Sequence, residues 1–333
     1  MLTFENINFS GRRALAARGI GEYDLRDTME CGQCFRYERL PGTEGLCEYM
    51  TVVRGKIFDV GQRERGELLF FMEDTPEIRA ALTDYFALDV DFEAIRRNVI
   101  EHTDSAWLRR AADEARGIAI LRQEPWEALF SFIISQNNNI PRIRKIIRML
   151  SAAYGERAAL PGGSCPLGRA CDRTAQCVTP CTEKDPAKCG AEQGDDTCRA
   201  CGICYTFPTA EQIVASPGLM EPAHTGFRYA YLLDAATRVA SGECDLAGIA
   251  AAGSYETTLT ELKRIKGVGD KVASCVALFG MGNYDAFPID VWMKRAIDEY
   301  FGGHLDPRTL GPYAGVAQQY IFHYIRNLER EKV

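Results

Sequence analysis

Leu262-Lys263-Arg264-Ile265-Lys266-Gly267-Val268-Gly269-Asp270-Lys271-Val272-Ala273-Ser274-Cys275 is the most informative segment of this 333-residue chain. An apolar helix runs into a Gly-x-Gly turn and a second helix starts at once. Two glycines in a tight turn let the backbone approach a neighbour closely. The orphan amides that open the second helix point outward and form a ready phosphate site. Two helices joined in this way grip a nucleic-acid backbone through main-chain atoms, without reading sequence. Gly267 and Gly269 are therefore candidate DNA-binding positions. An ordinary tight turn is the competing reading of Gly-x-Gly taken alone.

Two residues downstream of the turn carry candidate chemistry. Lys271 sits in the first helical turn, where the positive helix end disfavours a cation. A neutral amine is what nucleophilic attack requires. Further on, Phe287-Pro288-Ile289-Asp290-Val291-Trp292 forces an extended approach through Pro288 and places Asp290 to cap the helix that follows. A carboxylate there can also stabilise positive charge on a reacting sugar and assist proton transfer. Lys271 as a surface lysine and Asp290 as a purely structural cap are the plainer alternatives.

Working outward, residues 209–215, 226–241, 254–265, 270–280, 290–301 and 312–329 show helical periodicity. Upstream, Pro125 to Ser135 and about Pro141 to Tyr154 form two more helices, interrupted by Gln136-Asn137-Asn138-Asn139. Glu48 to Val60 is β-branched and aromatic and breaks at Arg54-Gly55, as in a hairpin. Leu68 to Met72 is a further strand, and Thr75-Pro76-Glu77 starts a helix.

Apolar residues make up 46% of the chain, ample for a core, and no stretch is apolar enough for a membrane span. The N-terminus lacks a secretory pattern, so a cytoplasmic location with reduced thiols is expected. The net charge of −7 argues mildly against a nucleic-acid partner. Against it stand two basic clusters, Arg142, Arg144, Lys145, Arg148 and Lys263, Arg264, Lys266, Lys271.

Residues 162–204 are of a different material, poor in aliphatic residues. They hold Cys165, Cys171, Cys177, Cys181, Cys189, Cys198, Cys201 and Cys204, eight of thirteen cysteines. The Cys-x-x-Cys-x-x-Cys run suits metal ligation. With no histidine in the stretch, thiolates would bind zinc or an iron–sulfur cluster. A disulfide-stapled or disordered loop is the alternative.

The hairpin, Lys271 and Pro-x-Asp together resemble the helix-hairpin-helix glycosylase superfamily, and within it the chain is similar to the 8-oxoguanine DNA glycosylases. The similarity covers nearly everything outside the cysteine-rich stretch. It implies an α+β protein: an N-terminal antiparallel β-sheet (TBP-like) domain over 1–115, a mostly α-helical glycosylase core over 116–161 and 205–333, and an insertion over 162–204. Cys31-Gly32-Gln33-Cys34-Phe35-Arg36 matches the family's Gly-Gln-x-Phe-Arg motif, and by resemblance the Gly32 carbonyl accepts from N7–H of the oxidised base. Guanine N7 carries no proton, so the normal base leaves two acceptors facing each other. Ser135-Gln136-Asn137-Asn138-Asn139-Ile140-Pro141-Arg142 matches the Asn-Asn-Asn-Ile segment, with Asn137 filling the vacated stack and Arg142 reading the estranged cytosine. Gly226-Phe227-Arg228-Tyr229 matches the wedge segment, with Phe227 replacing a usual tyrosine and Arg228 as second cytosine reader. Tyr313 to Phe322 matches the final pocket helix, where Phe322 stacks on the base and Gln318 bonds its Watson–Crick edge. Cys275, one turn after Lys271, is the other wall. Trp292 and Ile325 depart from the polar histidine and aspartate of some members.

The resemblance implies a bifunctional glycosylase and AP lyase acting on double-stranded DNA that contains 8-oxoguanine opposite cytosine. It needs no cofactor for the chemistry, and a monomer without membrane contact is expected. A monofunctional alkylated-base glycosylase and a non-catalytic DNA-binding sensor are the alternatives. Lys271 argues against the first, and Lys271 with Asp290 against the second.

Overall fold

The structure, a computed structural model, describes residues 1–41, 45–159 and 204–330. Six antiparallel strands open the chain: β1 (Thr3–Phe9), β2 (Arg12–Arg18), β3 (Tyr37–Arg39), β4 (Cys47–Val53), β5 (Lys56–Gln62) and β6 (Glu67–Phe70). Their spatial order is β1-β2-β6-β5-β4-β3. Arg54 and Gly55 both take positive φ, 48° and 74°, and pair Val53 with Lys56. This two-residue turn matches the right-handed twist of the strands it joins, so the β4–β5 hairpin breaks where the sequence places it. The same turn at Ser10 (φ 50°) and Gly11 (φ 82°) joins β1 to β2, a hairpin the sequence reading does not include.

One face of the sheet buries Leu15, Tyr49, Phe58 and Phe70 against α1 (Leu25–Glu30) and α2 (Pro76–Tyr85). Pro76 opens α2 and Thr75 caps it, accepting from the Ile78 amide at 3.3 Å. On the other face Arg12 bridges the buried carboxyl groups of Glu48 (2.6 Å) and Asp59 (2.5 Å).

The helical body comprises α3 (Phe92–Glu101), α4 (Ala106–Glu114), α5 (Pro125–Ile134), α6 (Ile140–Tyr154), α7 (Ala210–Ala215), α8 (Arg228–Ala240), α9 (Leu246–Ala252), α10 (Tyr255–Leu262), α11 (Asp270–Met281), α12 (Val291–Tyr300) and α13 (Ala314–Arg330). Every helix expected downstream of residue 124 is present within a few residues. The short α9 and the 3-10 turns at Pro217–Ala223 and Pro307–Tyr313 are additions, too brief for periodicity to reveal. Ile95 and Val99 of α3, with Leu108 and Ala111 of α4, join the apolar cluster of this body.

Helices α5 and α11 form its centre. From Ala128 to Ile134 and from Val272 to Phe279 every residue is buried, because both helices are apolar on all sides. Phe132 and Phe279 stack across them at 5.4 Å. Gly280 lets the helices close: a Cβ there would meet that of Ala128 at 2.9 Å.

The described edges of the cysteine-rich stretch meet at one place. Ala159 donates to Gly55 (2.7 Å) and accepts from Ile57 (2.8 Å), while Ala158 donates to Cys204 (2.9 Å). Cys204 is buried with Met50, Val52 and Ile57. Cys165, Cys171, Cys177, Cys181, Cys189, Cys198 and Cys201, and with them the zinc or iron–sulfur expectation, lie outside the described residues. Among the described residues no helix is long and apolar enough to cross a membrane.

Candidate active site

The Gly267-Val268-Gly269 turn packs on α8. Gly267 has φ 78°, and a Cβ there would lie 2.3 Å from the Tyr231 ring. Gly269 starts α11 with no side-chain cap, and nothing lies within 4 Å of where its Cβ would be. The first amides of α11 are therefore left without a capping side chain, as the anion-site reading requires.

Lys271 leaves this first turn and reaches the end of α5. Its Nζ donates to Ser135 Oγ at 2.8 Å and lies 5.2 Å from the Phe132 ring centroid. Ser135 Oγ in turn donates to the Phe132 carbonyl at 2.8 Å. Asp290 caps α12 through one oxygen, Oδ1, which accepts from Trp292 (3.0 Å) and Met293 (2.9 Å). Both side chains line one cleft of about 650 Å³, together with Gly32, Cys275, Gln318 and Phe322. The lysine is thus directed into a cavity with the residues the sequence groups around it, not into bulk water.

Gly32 occupies the bend after α1 at φ 90°, a left-handed conformation that glycine adopts at least cost. The loop is fixed by its neighbour. Gln33 is fully buried, and its Nε2 donates to the carbonyls of Thr28 (2.9 Å) and Ala119 (2.8 Å). Its Oε1 accepts from Leu121 (2.8 Å), and its own carbonyl accepts from Gln123 Nε2 (2.7 Å). From α13, Gln319 Nε2 donates to the Cys31 carbonyl at 3.0 Å, tying the loop to the helix that carries Gln318 and Phe322.

Gln318 is only 4% exposed, and its Oε1 is buried without a hydrogen-bond partner. An unpaired acceptor of this kind is costly in a resting protein. In a cleft it awaits a donor. Burial pushes the Cys275 thiol up to about 11, with Lys271 opposing and Asp290 reinforcing the shift. The wall is accordingly a neutral, polarisable thiol. Trp292 also lines the cleft, whereas Ile325 is buried in the core beneath it.

The remaining candidates form a second cluster joined to the cleft through Asn137. Asn137 is exposed at φ 47° and lines the cleft. Arg228 is buried and donates to the carbonyls of Asn137 (2.9 Å) and Gln136 (2.8 Å). Its guanidinium lies 4.4 Å from the ring of Phe227, which is 52% exposed. Arg142 is exposed and reaches the His224 carbonyl at 3.5 Å. Burial, and then the charge of Arg142, pull the Arg228 guanidinium below its ordinary value. Two cations held in mutual repulsion favour the arrival of an acceptor between them. Arg142, Phe227, Arg228 and Gly267 lie outside the cleft lining itself.

Sequence reasoning passed over Ser135, Phe132, Gln33 and Gln319. Ser135, Gln33 and Gln319 stand inside the quoted motifs, but only the fold reveals what they hold. Among the described residues no three His, Cys, Asp or Glu side chains converge on a metal site.

Residues 18–129 match the family described as 8-oxoguanine DNA glycosylase, N-terminal domain. The structure of MBOgg1 in complex with a low-affinity DNA ligand is 30% identical, with a TM-score of 0.75, covering 98% of this chain and 99% of that one. The chain belongs to the 8-oxoguanine DNA glycosylase family. The Clostridium acetobutylicum 8-oxoguanine glycosylase/lyase, solved with duplex DNA carrying cytosine opposite 8-oxoguanine, is 28% identical with a TM-score of 0.75, each chain covered to 98%. The N-glycosylase/DNA lyase of Saccharomyces cerevisiae is 26% identical over 302 residues, 82% of this chain and 67% of that protein. In this chain an antiparallel sheet precedes a helical body, and the cleft described above lies between the hairpin, the Gly32 loop and α13.

Proposed function

We propose that this chain is a bifunctional DNA glycosylase and AP lyase that excises 8-oxoguanine opposite cytosine from duplex DNA. The observation that carries the reading is the convergence, in one cleft, of the Lys271 amine, the Asp290 carboxylate and the Cys275, Gln318 and Phe322 side chains, drawn from separate stretches of the chain.

The lesion nucleotide is extruded from the stack, with Phe227 as wedge and Asn137 filling the gap. Arg142 and Arg228 bond the acceptors of the orphaned cytosine. The flipped base lies between Cys275 and Phe322. Its N1–H or N2–H donates to the vacant Gln318 Oε1, and its N7–H donates to the Gly32 carbonyl. Gly267 and Gly269 present main-chain amides to the phosphates.

Lys271, in its neutral form, attacks C1′. The new N–C bond forms as the glycosidic bond breaks, and its electron pair leaves with the base, which takes up a proton. Asp290 keeps an oxygen not used in capping, and its charge stabilises the cationic sugar. The ring-opened sugar then carries a Schiff base to Lys271, and loss of the C2′ proton expels the 3′ phosphate. We place the enzyme in the cytoplasm, as its unpaired Cys31, Cys34, Cys47, Cys244 and Cys275 suit a reducing compartment.

Borohydride trapping on an 8-oxoguanine:cytosine duplex tests the assignment. The protein should give a covalent adduct and a nicked strand. Lys271→Gln should give neither while still binding the lesion. An adduct that survives this substitution refutes the role of Lys271. Base release without nicking points to a monofunctional enzyme, and neither event to a binding protein.

A further inference from the structure

Arg326 has no role in the proposed chemistry. On α13 it follows Phe322 by one turn and Gln318 by two, so all three share one stripe of the helix. It lines the same cleft, and its guanidinium carbon lies 5.1 Å from the Phe322 ring centroid. Its approach to the Gly32 loop is close. A methyl group on Gly32 would lie 3.4 Å from Arg326 Nη1 and 3.3 Å from Phe322 Cε1. A guanidinium is therefore held beside the peptide that, in the reading above, accepts from N7–H.

In a purine, N7 and C8 are bonded neighbours, so a group beside the N7 reader stands near the C8 substituent. In 8-oxoguanine that substituent is a carbonyl oxygen, a hydrogen-bond acceptor. In guanine it is a C–H bond, which offers no acceptor. Arginine carries five N–H donors and no acceptor. We propose that Arg326 is a specificity-determining residue that donates to O8 of the extruded base.

The proposal rests on the proposed function. It adds to the Gly32 carbonyl a second test of opposite polarity. The carbonyl asks for a donor at N7 and the guanidinium for an acceptor at C8, and the oxidised base alone supplies both. The contact would be charge-assisted, the stronger class of hydrogen bond. The Phe322 ring beneath the Arg326 guanidinium holds the fork beside the Gly32 loop.

The experiment measures affinity in the Lys271→Gln background, which removes turnover. Three duplexes carry 8-oxoguanine, guanine or a tetrahydrofuran abasic analogue opposite cytosine. Arg326→Met keeps an unbranched stem and removes every donor. It should weaken 8-oxoguanine binding about tenfold or more, the scale of one hydrogen bond to a charged group. The guanine and abasic duplexes should change less than twofold, which also shows that the variant is folded. Arg326→Lys should restore part of the loss. Equal losses on all three duplexes would mean a phosphate contact and overturn the proposal, as would unchanged 8-oxoguanine binding. If the Lys271→Gln protein itself fails to prefer 8-oxoguanine over guanine, the proposed function falls and this inference with it. A preference kept in both proteins overturns the role of Arg326 alone.

Discussion

Adding one methyl group to the lesion loop, Gly32→Ala, isolates what the loop contributes. Gly32 holds φ 90°, a conformation that costs an L-residue about 1–2 kcal/mol. Its new Cβ would stand 3.3 Å from Phe322, 3.4 Å from Arg326 and 3.6 Å from Ile140, so the slot wall must yield. Overpacking of this kind costs about 1–3 kcal/mol. The loop cannot move away as a body, because both ends of the Gln33 amide and the Gln33 carbonyl are bonded to residues 28 and 119–123. The strain falls on the Gly32 peptide and the Phe322 ring, the groups proposed to meet the base. Losing about 2–3 kcal/mol of lesion binding corresponds to a fall of roughly 30- to 150-fold in single-turnover excision at subsaturating enzyme. Gly302→Ala is the control. Gly302 also has positive φ, 66°, but nothing lies within 4 Å of its Cβ position. It should lose comparable backbone stability and excise 8-oxoguanine within twofold of the parent. Thermal unfolding and single-turnover gel assays on both variants read the two effects separately. Gly32→Ala excising as fast as Gly302→Ala would refute the argument.

Asp290→Asn keeps the Oδ1 acceptor that caps α12, so unfolding free energy should stay within about 0.5 kcal/mol while excision slows by about 100-fold or more. Unchanged excision would remove Asp290 from the chemistry. Gln318→Met replaces a buried, unpaired acceptor with a side chain of similar shape. The DNA-free protein should be more stable by about 1 kcal/mol in urea titrations while lesion affinity falls about tenfold, and a destabilised variant would contradict the vacant acceptor. Burial, then the bond to Glu48 and its charge, push Asp59 up to about 8 against the pull of Arg12. A carboxyl raised in the folded state binds more protons there than when unfolded. Its contribution to stability is therefore full below about pH 4 and is lost as the pH rises toward about 8. Asp59→Asn should flatten that decline in denaturation series between pH 5 and 8, and parallel slopes would exclude Asp59 as its source.

The sequence announces what periodicity and turn chemistry control. Helices α5, α6 and α11 and the Arg54-Gly55 hairpin are legible because long apolar periods or a Gly-containing turn leave little choice. The first hairpin was open to the same logic through Ser10-Gly11, but the polar strand Thr3–Phe9 hides it. The proposed catalytic pair is legible because a lysine at a helix start and an aspartate at a helix cap are local patterns. What was not legible is tertiary. Nothing in the order of residues says that Ser135 lies under the Lys271 amine, that Gln33 bolts the Gly32 loop to residues 119–123, or that Arg326 returns to touch Gly32. These contacts depend on how α5, α11 and α13 pack around the loop.

The net charge of −7 misleads for a related reason. Many acidic groups are spent on arginines of the sheet and of the helices that follow it. Arg12 with Glu48, Arg79 with Asp74, Arg96 with Glu93 and Asp113, and Arg122 with Asp89 form local pairs. Such pairs cancel over a Debye length of about 8–10 Å and project little field. Near the hairpin and cleft the balance is different. Arg142 and Lys266 are exposed and Lys294 lines the cleft, and none of the three has a carboxylate partner among the described residues. A phosphate backbone approaching this face meets cations that are not already neutralised, so the local field and not the formal sum governs its attraction.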